Sequence, residues 1–409
     1  MRNVPKLRFE GFNDEWEERQ LGEMGDFHKG NTLCKADLTP YGKPCILYGE
    51  LYTKYNEVIT QIYSNTLNNS DKLFSGQAED ILIPSSGETI LEISIASCLK
   101  INNVLLGGDI NVFRPNNVNG TFLAYQLNNT KKTAIAKLAQ GTMVVHLYNS
   151  QLKKLLIKTG SSGEQEKIAQ FFTLLDKRIS LQQEKVSLLR EKKRGLMQQI
   201  FSRKLRFKDE NGEAYPEWEE KKLGEITIKI GSGKTPKGGR EVYTTDGIIF
   251  LRSQNIYNNR LELNEVAYID QAINLTMKST EIQPNDILLN ITGASIGRCC
   301  SIPLDFPKAN VNQHVCIIRL KENYQPIFIV QQIISPNVQL QISKYQAGGN
   351  REGLNFEQIK ELRVFIPSKQ EQQKIADLLS ILDRKIEKED EKLKSLREQK
   401  KAFVQQMFV

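Results

Sequence analysis

Residues 164–201 read EQEKIAQFFTLLDKRISLQQEKVSLLREKKRGLMQQIF, and 207 residues later, at 371–408, the chain reads EQQKIADLLSILDRKIEKEDEKLKSLREQKKAFVQQMF. The two stretches align without a gap and share 17 of 38 positions, so each is a copy of the other. In the first, Ile168, Phe172, Leu175, Ile179, Val186, Leu189, Leu196 and Ile200 recur on alternating three- and four-residue steps, with Gln182 and Lys193 completing the stripe. In the second, Ile375, Leu379, Leu382, Ile386, Leu393, Leu396, Phe403 and Met407 occupy the same steps, and the polar interruptions coincide as Glu389 and Lys400. A sustained apolar seam of period 3.5 without proline predicts a helix packed lengthwise on another helix. Two copies in one chain are expected to pack on each other.

The repeat extends beyond the helices. LRF stands at 7–9 and again at 205–207; WEERQLGE at 16–23 is answered by WEEKKLGE at 218–225. Between each tryptophan motif and its long helix lie about 140 residues of another texture, short β-branched and aromatic runs broken by Asn, Gly, Ser and Pro. Strands are predicted at 45–48, 57–62, 80–83, 104–106 and 111–114, then at 248–252, 265–269, 286–290, 298–302 and 315–320. Residues 122–127 and 327–334 read as helices. The fold class is α+β: two β-rich α/β domains in pseudo-twofold repeat, separated by two long helices forming an antiparallel coiled coil. The boundaries are 1–160 for the first domain, 161–204 for the first helix, 205–367 for the second domain and 368–409 for the second helix.

Antiparallel packing follows from lengths. A 40-residue helix is about 60 Å long, whereas a 160-residue globule is only about 40 Å across. Parallel helices would oblige the second globule to bridge back to the start of the first helix. Antiparallel helices remove that demand and predict a dumbbell, two globules held apart by a ruler.

Composition bounds the function. A net charge of +8 permits a polyanionic partner without establishing one. The six cysteines form no CxxC pair and the three histidines do not cluster with them, so no zinc site is expected. The opening residues lack a signal-peptide core and no window approaches 18 apolar residues, which points to a cytoplasmic chain without a membrane span. Gly231-Ser-Gly-Lys-Thr235 resembles a phosphate loop, but position 228, where the first glycine belongs, is Ile. No methyltransferase, dinucleotide or nuclease motif is found, so no catalysis and no metal or cofactor bound by this chain are expected. His28, His146 and His314 are isolated in the sequence and read as ordinary polar or partly buried residues.

Two diverged β-rich domains, each opened by LRF and W-E-E-x-x-L-G-E and each followed by an EQ-x-K-I-A helix, resemble the specificity subunits of type I restriction–modification systems. The resemblance covers the whole chain. It implies that the globules are target recognition domains, each reading one half of a split, double-stranded DNA site. It also implies that the helices space them and dock two modification subunits carrying adenine methyltransferase activity, which restriction (helicase-nuclease) subunits then join. Those partners, and not this chain, are expected to use S-adenosylmethionine, ATP and Mg2+. A 60 Å ruler allows a gap of at most roughly 17 base pairs at about 3.4 Å each.

Base-reading candidates are polar residues in turns where the halves diverge, since Arg reads guanine, Asn or Gln reads adenine and Glu accepts from cytosine. In the first domain they are Tyr48, Glu50, Ser85, Ser86, Glu88 and Thr89, with Lys29, Asn31 and Lys35 on a backbone-contacting loop. In the second they are Arg252, Gln254, Asn255, Asn290, Thr292 and Ser295, with Lys234, Thr235, Lys237 and Arg240 on the Gly-rich basic loop, and Asn350 and Arg351 farther on. Phe171, Leu174 and Leu188 lie off the seam and suit a partner surface. The competing reading is a non-catalytic coiled-coil adaptor with two protein-binding domains.

Overall fold

The computed structural model describes residues 4–141, 144–347 and 353–409. The chain divides into two compact units, one of residues 1–183 with 391–409 and one of residues 184–390. The division falls inside both long helices, Ser162–Phe201 and Lys369–Met407. Each unit therefore owns the start of one long helix and the end of the other.

In the first unit, strands run in the order Gly25–Lys29, Ile110–Pro115, Ile81–Pro84, Ser97–Leu99, Val58–Ile59, antiparallel except for the last pair. A second sheet orders Leu38–Thr39, Ser64–Thr66, Lys43–Ile46, Val104–Leu106, Phe74–Gly76. The central strand Ile81–Pro84 is apolar throughout because both its faces are covered. Ile81 and Ile83 join a cluster with Leu123, Ala124 and Leu127 of the helix Gly120–Asn128. Leu82, between them, joins Ile46, Leu99 and Leu106 on the other side. Alternate side chains on a strand point to opposite faces, so one strand serves two cores.

The second unit repeats the plan with fewer strands. Thr227–Ser232, Val315–Leu320, Ile287–Asn290 and Cys299–Ser301 form an antiparallel sheet, and Ala267–Ile269, Ile248–Leu251 and Ala309–Val311 a smaller one. Ile287 and Leu289 face the helix Pro326–Ile333, while Leu288 faces Leu251 and Val311. Strands 25–29 and 227–232 escaped the sequence reading because GDFHK and TIKIGS lack a clean alternation. The tryptophan motifs also form strands, Glu17–Gln20 pairing with Leu156–Thr159 and Glu219–Lys222 with Arg363–Ile366.

The helices form an antiparallel coiled coil, and each unit shows it independently. In the first, Ile168, Phe172 and Leu175 near the start of one helix cluster with Leu396, Met407 and Phe408 near the end of the other. In the second, Ile375 and Leu379 cluster with Met197, Ile200 and Phe201. Val186 and Leu393 are buried too; Ile179, Leu189, Leu196, Leu382, Ile386 and Phe403 are half-buried. Toward each helix end the most buried position moves one residue, from Leu196 to Met197 and from Phe403 to Val404. A straight helix of 3.6 residues per turn drifts off a strict 3.5 repeat, and the domains there cover a wider face.

Candidate nucleic-acid interface

The repeated motifs do not face a ligand; they brace the scaffold. Arg8 of LRF donates from Nε and Nη2 to both oxygens of Glu164, at 2.8 and 2.7 Å, and Trp16 Nε1 donates to the same carboxylate at 2.9 Å. Arg206, Trp218 and Glu371 repeat the arrangement at 3.3, 2.9 and 3.1 Å. A side chain on Gly160 would meet Trp16 Nε1 and Glu164 Oε2, which is why glycine stands there. Gln165 accepts from the Asn119 N–H and donates to the Gly160 carbonyl; Gln372 does the same with Gln325 and Pro367. Motif conservation between the halves thus reflects the joint between globule and helix, leaving the loops at the sheet ends to differ.

In the first unit, one sheet end gathers several loops. Asn111 lies opposite Lys29, Ile110 opposite Pro84, and the Ser85 N–H donates to the Asp109 carbonyl at 2.8 Å. Lys29, Asn31 and Lys35 are exposed there. Asn31 Nδ2 holds the Lys72 carbonyl at 2.8 Å, and Asp37 accepts the Cys34 N–H at 2.8 Å, which keeps its carboxylate below the usual range. Lys35, Tyr48 and Glu50 line one cavity of about 690 Å³ with Lys54 and Asp109. Ser85 and Ser86 are buried, the latter against His146 Nδ1 at 3.1 Å. Glu88 and Thr89 are exposed, but Thr89 caps the short helix Ile90–Ile93.

The second unit assembles the matching end. Asn290 Nδ2 donates to the Ser253 carbonyl at 2.8 Å and to Ser295 Oγ at 3.1 Å, tying two turns together. The Lys234 N–H donates to the Val311 carbonyl and the Asn312 N–H to that of Leu251. Lys234, Thr235, Lys237, Arg240 and Gln254 are exposed. Arg252 lies over the Tyr243 ring at 5.7 Å and donates to the Glu265 carbonyl. Thr292 meets His314 Nδ1 at 2.6 Å, and Thr235 donates to Gln313.

Several candidates are already engaged within the fold. Glu50 accepts the Leu47 N–H, pairs with Lys54 and accepts from Ser64; Asn255, 1% exposed, accepts the Arg252 N–H and holds the Glu262 carbonyl. These two are structural equivalents, so Leu47 corresponds to Arg252. Asn290 is fully buried as a tie between turns. Phe171 is no free partner surface: its ring packs edge-on against Phe9 and Phe403. Leu174 and Leu188 are 66% and 57% exposed. Asn350 and Arg351 lie outside the described residues. His146, Asn149, Gln313 and His314 were not among the candidates, because their nearness to Ser86, His28, Thr235 and Thr292 comes from loops far apart in sequence. The one signal was the polar turn Asn312–His314 interrupting two apolar strands.

Among the described residues no three His, Cys, Asp or Glu side chains gather as a metal site, and no helix is long and apolar enough to cross a membrane. The family model for the type I restriction modification DNA specificity domain matches twice, over residues 13–190 and 215–398. The type I restriction enzyme MjaVIII specificity subunit of Methanocaldococcus jannaschii is 21% identical over 390 residues, 91% of this chain and 87% of that one. The EcoBI specificity subunit of Escherichia coli is 32% identical over 133 residues, 32% of this chain and 27% of that one. A solved S subunit of a type I restriction–modification system from M. genitalium superposes with a TM-score of 0.68 at 19% identity, covering 99% of both chains, and so shares the fold. The chain belongs to the type I restriction–modification DNA specificity family, as a specificity subunit with two DNA-recognition domains.

Proposed function

We propose that each domain reads one half of a bipartite, asymmetric duplex site, that the coiled coil sets the unread spacer, and that its outer face docks two methyltransferase subunits. The chain then dictates where DNA is methylated and, once restriction subunits join, where it is cut. Chemistry belongs to those partners, with S-adenosylmethionine, ATP and Mg2+ as their cofactors. The observation that carries this reading is that both units spend their shared motifs on the globule–helix joint, while unlike polar loops gather at one corresponding sheet end. Two unlike readers on one scaffold suit two unlike half-sites. Exposed Lys29, Lys35, Lys234, Lys237 and Arg240 beside those loops supply phosphate contacts, which position without specifying. Exposed Leu174 and Leu188 supply apolar area for a docked subunit.

The test is a gel shift of the full chain with its modification subunit on duplexes carrying the host's methylated motif. Binding should need both half-sites, and affinity should fall steeply with salt. Binding that ignores either half-site, or that needs no DNA sequence, refutes the reading.

A further inference from the structure

The turn between Ala309–Val311 and Val315–Leu320 carries Asn312, Gln313 and His314. It is braced from inside, since Asn312 Oδ1 accepts the His314 N–H at 3.2 Å and the Asn312 carbonyl accepts the Val315 N–H at 3.2 Å. Gln313 is exposed at its tip and held from both sides. The Thr235 hydroxyl donates to Gln313 Oε1, and Gln313 Nε2 meets His314 Nε2 at 3.0 Å. An amide nitrogen only donates, so this imidazole nitrogen accepts, and the proton on Nδ1 goes to the Thr292 hydroxyl at 2.6 Å. Thr235 and Thr292 belong to two other loops, so the orientation of the amide is a tertiary property.

That chain uses one of the two amide N–H groups and one of the two oxygen lone pairs. Among the described residues that leaves one donor and one acceptor, on the adjacent nitrogen and oxygen of an exposed amide at the candidate DNA-reading end. In the major groove adenine presents the complement, N7 as acceptor and N6–H2 as donor; guanine presents two acceptors and would leave the amide oxygen opposed. We propose that Gln313 is the adenine-reading side chain of the second domain, with Thr235, His314 and Thr292 as its positioning residues. The assignment rests on the DNA-reading function proposed above and adds which residue reads which base. An amide already ordered in the free protein loses less rotamer freedom on binding, which sharpens discrimination.

The experiment selects duplexes from a randomised pool with the full chain and its modification subunits. Wild type should select a split element with adenine at one position of one half. Gln313→Ala should accept any base at that position, its preference there falling by about tenfold or more, and leave the other half unchanged. Placing 7-deazaadenine at that position, which removes N7, should weaken wild type by a similar factor and leave Gln313→Ala unaffected. His314→Ala and Thr235→Val should lower preference at the same position only. Wild-type stringency in Gln313→Ala, or no penalty from 7-deazaadenine, overturns the assignment while the DNA-reading function stands. A wild-type chain that selects no split element overturns both.

Discussion

Arg8 and Glu164 stand 156 residues apart and are joined by two charge-assisted hydrogen bonds, with Trp16 Nε1 completing the hold on the carboxylate. The carboxylate is 1% exposed and the guanidinium side chain 14%. Removing one partner of a buried pair leaves an uncompensated charge, at a cost of about 3–5 kcal/mol. Glu164→Ala should lower stability by that order in urea denaturation, and Glu371→Ala likewise. An unchanged midpoint would show that the joint is held elsewhere.

Lys400, in the helix seam, pairs with Asp176 at 2.8 Å and Glu57 at 3.1 Å, and Tyr125 donates to Asp176 at 2.6 Å. Burial pulls the Lys400 ammonium down, but Glu57 and Asp176 together outweigh it and hold it above 10.5. A raised folded value means its stabilisation is complete below 10.5 and is lost as pH rises through the folded value. Asp176→Asn with Glu57→Gln should leave a buried, unpaired ammonium and remove about 3 kcal/mol near neutral pH. Thermal unfolding at pH 7 and pH 11 checks this: the gap between variant and wild type should narrow at the higher pH.

Burial pushes the thiols of Cys98, Cys300 and Cys316 up to about 12 and that of Cys45 up to about 11. Thiolate is the reactive form, so these should resist alkylation at pH 8 in the native chain while exposed Cys34 reacts. The folded values exceed 9.0, hence stability should fall as pH climbs from about 9 towards 12. Mass spectrometry after brief iodoacetamide treatment should find one modified cysteine; rapid labelling of all six would contradict the packing.

Gln254 and Asn255 are neighbours with opposite expectations. Gln254 is exposed, and Gln254→Ala should weaken binding by about 1–3 kcal/mol at the second half-site only. Asn255 is buried and bonded to the Glu262 carbonyl at 2.8 Å, so Asn255→Ala should reduce stability by about 1–3 kcal/mol. Paired binding and melting curves separate the two, and a melting loss in Gln254→Ala would reverse the assignment.

The units divide between Gln183 and Glu184 on one helix and between Asp390 and Glu391 on the other. One heptad inserted after Gln182 and another after Glu389 preserves the seam while adding about 10 Å of helix. Methylome sequencing should then show the same half-sites with an unread gap longer by about three base pairs. An unchanged gap would refute the ruler.

The long seam at 168–200 and its copy at 375–407 were legible because helix pairing is written in a local period, and duplication exposed the domain plan. Strands such as 287–290 were legible because burial on both faces leaves an unbroken apolar run. Other readings failed for physical reasons. The Arg8–Glu164 joint and the packing of Phe171 against Phe9 depend on partners far away in sequence, while the structural use of Glu50 and Asn255 depends on turns that fold each side chain back onto nearby backbone and side-chain groups. The equivalence of Leu47 and Arg252 is likewise set by strand register, which pairs Ile46 with Leu106 and Leu251 with Val311. Local periodicity and repetition determined the architecture and the family from the sequence itself. Which polar side chains are ties and which stand free at the sheet ends was decided only by tertiary structure, since a hydrogen-bonding group is committed by what the fold brings beside it.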